Sequence, residues 1–266
     1  MKTTTLFGAL VCALFLNACN SDDAAPAATG SGNLNLEFDN VFAGNNLILG
    51  TQPNTTSQGE TLKVNLFKYI VSNITLTKAD GTVFTYPKAQ SYFLVDETDA
   101  ASQLLKLENI PAGDYVSVGF GIGVDQQQWG LGADGQGDFL ALAQGEDMLW
   151  SWSAGYKFLA FEGTFTSPTV SPETVFMVHT GKTGTAYNYT SVTLPLTNAA
   201  LVRNTITPQI HVFADASKII DGQHKIILSN NNTGGMGAMI MGGGNLALIT
   251  SNLSEMFHVD HVHNDE

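Results

Sequence analysis

Short apolar and polar alternations, frequent turn signals and sparse helical periodicity predict a mainly β fold, an antiparallel β-sandwich with a short C-terminal helix and few other helices. Leu34-Asn35-Leu36-Glu37-Phe38 alternates with a period of two, and Leu62, Val64 and Leu66 repeat the pattern. Further strands are expected within residues 115–120, 156–161, 174–179, 191–196 and 206–213. Asp80-Gly81 reads as a hairpin turn, the pair supplying positive φ angles, and Pro111-Ala112-Gly113-Asp114 as a second turn. A short helix is expected from Asp138. The stronger helix follows Gly242-Gly243-Gly244, where Leu246, Ile249, Leu253 and Met256 recur at helical spacing and share one face.

The N-terminus has a different character. Residues 1–18 place Lys2 before an apolar run and small residues before Cys19, the layout of a secretory leader too short to span a bilayer. Leu16-Asn17-Ala18-Cys19 is similar to a lipobox, so Cys19 is expected to be lipidated and to become the first mature residue. The expected organisation is a leader over 1–18, a flexible tether over 19–32 that lacks large apolar residues, and one domain over 33–266. Export to the outer membrane follows, on its periplasmic face or at the cell surface. Cys12 lies in the leader, so the mature chain has no cysteine pair and no free thiolate for a metal. That excludes blue copper and cysteine-based zinc sites.

The chain carries 24 acids against 11 bases, and loss of Lys2 takes its net charge from -13 to -14. Such a field repels phosphate backbones, so nucleic acid is not expected as a partner. No catalytic signature is complete. Gly119-Phe120-Gly121-Ile122-Gly123 lacks the third spacing of a dinucleotide fingerprint, no glycine run ends as a P-loop must, and no glycine precedes Ser151 or Ser153 as in a nucleophile elbow. In the calcium-like run from Asp134, Phe139 stands where an EF-hand needs glycine and Gly145 where it needs glutamate. Glu162 and Asp125 read as isolated, solvated or hydrogen-bonded acids, and the chain as a non-enzyme.

Metal-ligand chemistry gives a stronger signal. His258, His261 and His263 fall within six residues, and in an extended chain the last two project to one side; they read either as ligands or as a frayed terminus. Met236, Met239 and Met241 sit in a glycine-rich stretch, either as soft Cu(I) donors or as core filler. His179 and His211 lie in apolar strands, where each is a ligand candidate or a structural histidine. Trp150 and Trp152, if they lay in a strand, would share one face and fill core.

Three segments together carry a family resemblance. Trp150-Ser151-Trp152-Ser153-Ala154-Gly155-Tyr156-Lys157-Phe158 continuing to Glu162-Gly163, Phe176 to Gly181, and Met256 to His263 resemble the MbnP family of copper-binding proteins, and Leu62 to Leu76 is similar to its N-terminal half. The Trp-x-Trp-x-x-Gly-Tyr-Lys-Phe pattern is the specific part. The resemblance implies copper as the bound metal and a MauG-like di-haem peroxidase (MbnH-type) as partner. It also implies that a tryptophan, Trp150 or Trp152, is oxidised to kynurenine. Indole nitrogen only donates hydrogen bonds, whereas the aniline of kynurenine has a lone pair for a metal. Ala154, not histidine, stands two residues after Trp152, so the choice between the tryptophans stays open.

The expected function is therefore copper acquisition or homeostasis, with donors drawn from His179, His211, His258, His261, His263, Met236, Met239 and Met241, converging on one ion. The rival reading is a metal-free adhesion sandwich that recognises glycan or protein through exposed aromatics such as Trp129 and Tyr187.

Overall fold

The computed structural model describes residues 28–151 and 155–265, so the leader, Cys19 and Trp152 lie outside the described residues. The chain forms two packed sheets. In the larger one the main strands run in the spatial order Val170–Thr183, Lys157–Ser167, Thr61–Lys78, Gly113–Ile122 and Thr190–Val202, all neighbours antiparallel. The smaller sheet orders Phe257–His263, Gln209–Asp215, Ser31–Phe42 and Leu104–Pro111. One of its ladders is parallel, because Ser31–Phe42 and Gln209–Asp215 reach each other by a crossover rather than a hairpin. The helices are few: Asp138–Gly145 and Gly244–Asn252 are the longest, and both follow the expected positions.

Period-two burial explains how each strand sits. Leu34, Leu36 and Phe38 are fully buried, while Asn35, Glu37 and Asp39 face outward. Between the sheets Phe38, Tyr69, Phe120 and Phe257 pack edge to face, with centroid separations of 5.1–6.0 Å. Tyr69 spans this core and donates its hydroxyl hydrogen to Asn40 Oδ1 at 3.0 Å, and the Asn40 amide donates to Glu97 Oε2 at 2.9 Å. Leu246, Ile249, Leu253 and Met256 are all buried, as one helical face requires, and hand the chain on to the strand Phe257–His263.

The turns differ in detail from the sequence reading. At Asp80-Gly81 only the glycine takes a positive φ, +85°, and Gly81 N–H closes on Lys78 O at 2.9 Å. Residues 111–114 do not close a hairpin within one sheet: Leu104–Pro111 belongs to the small sheet and Gly113–Ile122 to the large one, so the segment is a corner of the sandwich.

Asp125 anchors the helical excursion that leaves the large sheet after Gly113–Ile122. It caps the one-turn helix Gln126–Trp129 by accepting from Gln128 N–H, and also accepts from Asn73, Lys88 and Tyr92 at 2.9–3.0 Å. Burial alone would raise its pKa; these donors outweigh it and hold the carboxyl at about 2. A depressed carboxyl adds stability above its unfolded value, near 4, and loses that contribution as pH falls toward 2. With the side chain 16% exposed, the contribution is about 2 kcal/mol at neutral pH. Asp125→Asn should cost that much and flatten the stability profile between pH 4 and 2. Urea titrations across that range check it, and an acid limb identical to the parent's would contradict it.

Candidate metal sites

The expected ligands fall into separate places. One group forms on the outward face of the large sheet. Met177 and His179 are two residues apart on Val170–Thr183, so both side chains leave the same side, while Phe176 and Val178 enter the core. Glu162 pairs with Met177 across one ladder, and Met239, on the short strand Ala238–Ile240, pairs with Met177 across the other. One step beyond that register, Met241 joins His179, Met177, Glu162 and Trp150 in lining a cleft of about 470 Å³. Met236 does not line it and is 74% exposed.

His179 has a defined proton arrangement. Its Nε2 lies 2.6 Å from Glu162 Oε1, and an ionised carboxylate can only accept, so Nε2 carries the hydrogen. The neutral ring then has its lone pair on Nδ1. That atom is buried and has no hydrogen-bond partner. The ring is 4% exposed, and an unpaired buried acceptor costs about 1–3 kcal/mol, which a bond to a metal would offset. The hydrogen bond that Glu162 accepts from His179 and the charge of Lys157 keep its carboxyl below the ordinary range despite burial. At the rim, Lys68 is neutralised by Asp96 at 2.9 Å and Glu146 at 2.8 Å, so its ammonium presents little repulsion to a cation.

Trp150 lines this cleft but belongs to no strand. Its backbone N–H donates to Gly155 O at 3.2 Å, and its neighbour Leu149 bridges to Tyr156. The indole is 5% exposed and lies over Gly181, where an added Cβ would stand 2.7 Å from a ring carbon. The bare glycine is therefore what seats Trp150 beside the His179 strand.

A second group forms on the outward face of the small sheet. His211, on Gln209–Asp215, pairs with His261 on the edge strand Phe257–His263 and with Glu37 on the other side. Donor atoms of His211, His261 and His263 all lie within 4.8 Å of one another, and those of Glu37, Asp39 and His211 likewise. Among the described residues, these are the only such groups of three histidines or acids. His258 stands apart from them, its ring 5.2 Å from Phe213. The tail is not frayed: the Asn264 side chain donates to Ala199 O at 2.9 Å and accepts from Leu201 N–H at 2.8 Å, fastening the edge strand to Thr190–Val202.

Sequence reasoning passed over Met177, Glu37 and Asp39 as donors and took Glu162 for an isolated acid. Strand parity with His179 carried the signal for Met177, whereas Glu37, Asp39 and Glu162 meet the histidines only across ladders. Trp129 and Tyr187, read as exposed aromatics, are half-buried and pack on each other at 6.3 Å, with the Lys182 ammonium 4.8 Å from the Trp129 ring centroid.

The fold and these donors define a β-sandwich protein whose outer sheet faces hold imidazole, thioether and carboxylate groups in metal-ligand arrangements. The chain belongs to the MbnP family, whose model matches residues 31–240. Among solved structures it is similar to MbnP from Methylosinus trichosporium, with 16% identity, 74% of this chain and 80% of that chain covered, and a TM-score of 0.49. No curated protein matches it.

Proposed function

We propose that this chain binds copper, as Cu(I), in the cleft beside His179, and serves copper acquisition or homeostasis. The observation that carries this reading is the buried, unpartnered Nδ1 of His179, with its proton fixed on the far nitrogen by Glu162, beside the thioethers of Met177 and Met241. Soft sulfur with neutral imidazole is the donor set Cu(I) prefers, and a carboxylate behind a ligand histidine is the usual second layer of such sites. Family membership supports the same metal.

Trp150 is the tryptophan this reading selects for oxidation to kynurenine by a MauG-like di-haem peroxidase, because it lines the cleft; the aniline so formed would add a nitrogen donor. Lipidation at Cys19 and export to the outer membrane complete the proposal.

Anaerobic competition of the full chain against a chromophoric Cu(I) chelator should show one tightly held equivalent, and no uptake at neutral pH would end the copper reading. Peptide mass spectrometry on protein from the native host should find lipidated Cys19 at the N-terminus and kynurenine at position 150. Intact tryptophan there removes the modification, and an unmodified Cys19 removes the anchor.

A further inference from the structure

We infer that the outward face of the small sheet holds a second metal site, in which His211, His261 and His263 bind one borderline divalent cation, Cu(II) ahead of Zn(II). The site stands independently of the cleft. Two of its three imidazoles lie beyond residue 240, outside the stretch that the family model matches.

The backbone brings the three rings together through a β-bulge. Phe213 pairs with His258 and Val212 with Val259, but His211 pairs with His261, so Asp260 is an extra residue in the edge strand. Strict alternation from His258 would have turned His261 and His263 toward the core. With Asp260 absorbed in the bulge, Phe257 and Val262 stay buried while His261 and His263 stay on the side of His211.

Each ring has a carboxylate on its Nδ1 edge. His261 Nδ1 lies 2.6 Å from Asp260, His211 Nδ1 lies 3.2 Å from Glu37 and 3.4 Å from Asp39, and His263 Nδ1 lies 3.7 Å from Asp265. With its Nδ1 hydrogen on Asp260, His261 has a lone pair on Nε2. The Nε2 atoms of His261 and His263 are 2.9 Å apart, which requires a hydrogen between them, and His263 supplies it. Gln209 Nε2 donates to His211 Nε2 at 3.0 Å, so that nitrogen too presents a lone pair, and the Gln209 amide is tied back to Glu37.

A cation can take the place of these hydrogens. Metal–nitrogen bonds of 2.0–2.1 Å at tetrahedral angles separate the nitrogens by about 3.3 Å, a few tenths more than the present His261–His263 spacing. His211 and His261 stack with 13° between their planes, so closure on an ion requires one ring to turn about its Cβ–Cγ bond. Binding moves the His263 hydrogen from Nε2 to Nδ1, the edge that faces Asp265 at 3.7 Å, so the ring stays neutral while its Nε2 lone pair turns to the ion. Three neutral imidazoles without sulfur suit Cu(II) and Zn(II), the former favoured by the general order of divalent affinities. The side chains of His261 and His263 are 44% and 49% exposed, which leaves a fourth position open to water.

The test uses the full chain carrying His179→Ala, so that the cleft cannot contribute. Titration with Cu(II), and separately with Zn(II), should show one equivalent of each bound, and the Cu(II) form should give an EPR spectrum with imidazole nitrogen superhyperfine structure. Adding His261→Ala or His263→Ala should weaken binding by at least about 100-fold without moving the melting temperature of the metal-free protein. His258→Ala, on the same strand, should leave affinity unchanged. Uptake of neither ion, or binding that survives loss of both His261 and His263, overturns the site. A cleft that fails to bind Cu(I) leaves this result standing, so the two readings fail separately.

Discussion

His179→Ala should lower Cu(I) affinity by at least about 100-fold, equivalent to roughly 2.7 kcal/mol. The substitution removes a cleft-lining imidazole whose Nδ1 is buried and unpartnered, and leaves thioethers as the soft donors there. Loss of an outer partner of a metal ligand already costs 10–100-fold, so loss of the ligand itself lies at or beyond the upper end. The same change strands Glu162. In the parent, its lowered pKa contributes stability that is present above the unfolded value near 4.5 and lost as pH falls through the folded one. In His179→Ala that window should vanish, because the first cause of the shift is gone. Competition with a Cu(I) chelator, paired with acid unfolding of the metal-free proteins, measures both effects. Unchanged affinity would remove His179 from the ligand set, and His211→Ala should leave Cu(I) affinity at the parent value.

Phe257→Ala should be the most damaging core substitution near either site, costing about 3–5 kcal/mol. Its ring meets Phe38, Tyr69 and Phe120 at 6.0, 5.7 and 5.1 Å, and it is the first residue of the edge strand that carries His261 and His263. At 2–4 °C per kcal/mol for a domain of this size, the melting temperature should fall by about 10 °C. Amide exchange over residues 257–263 should quicken more than over Lys157–Ser167, because the strand loses its inward anchor while the cleft keeps its own. A loss under 1 kcal/mol, or uniform exchange, would contradict that role.

Much of the fold was legible because its signals are local. Leu34, Leu36 and Phe38 show their buried face by alternation alone, and Leu246, Ile249, Leu253 and Met256 show theirs by helical spacing. Parity reveals which side chains share a face, but not which sheet that face belongs to. The expectation that five histidines would meet at one ion ran into this limit: His179 lies on the large sheet, while His211, His261 and His263 lie on the small one. The parallel ladder between Ser31–Phe42 and Gln209–Asp215 joins residues more than 170 positions apart, and its register depends on packing that no short window contains. The bulge at Asp260 was hidden for the same reason, since only the pairing with His211 shows that a residue is extra. Trp150 was hard to place because its segment reads as an aromatic strand, and only the fold shows that its ring packs on Gly181.

Copper K-edge X-ray absorption on the full chain, loaded anaerobically with one equivalent of Cu(I), addresses the central claim most directly. The account predicts sulfur beside nitrogen in the first shell, with the sulfur contribution lost in the Met177→Leu, Met241→Leu double variant. A shell of nitrogen and oxygen alone, unaltered by His179→Ala, would contradict it.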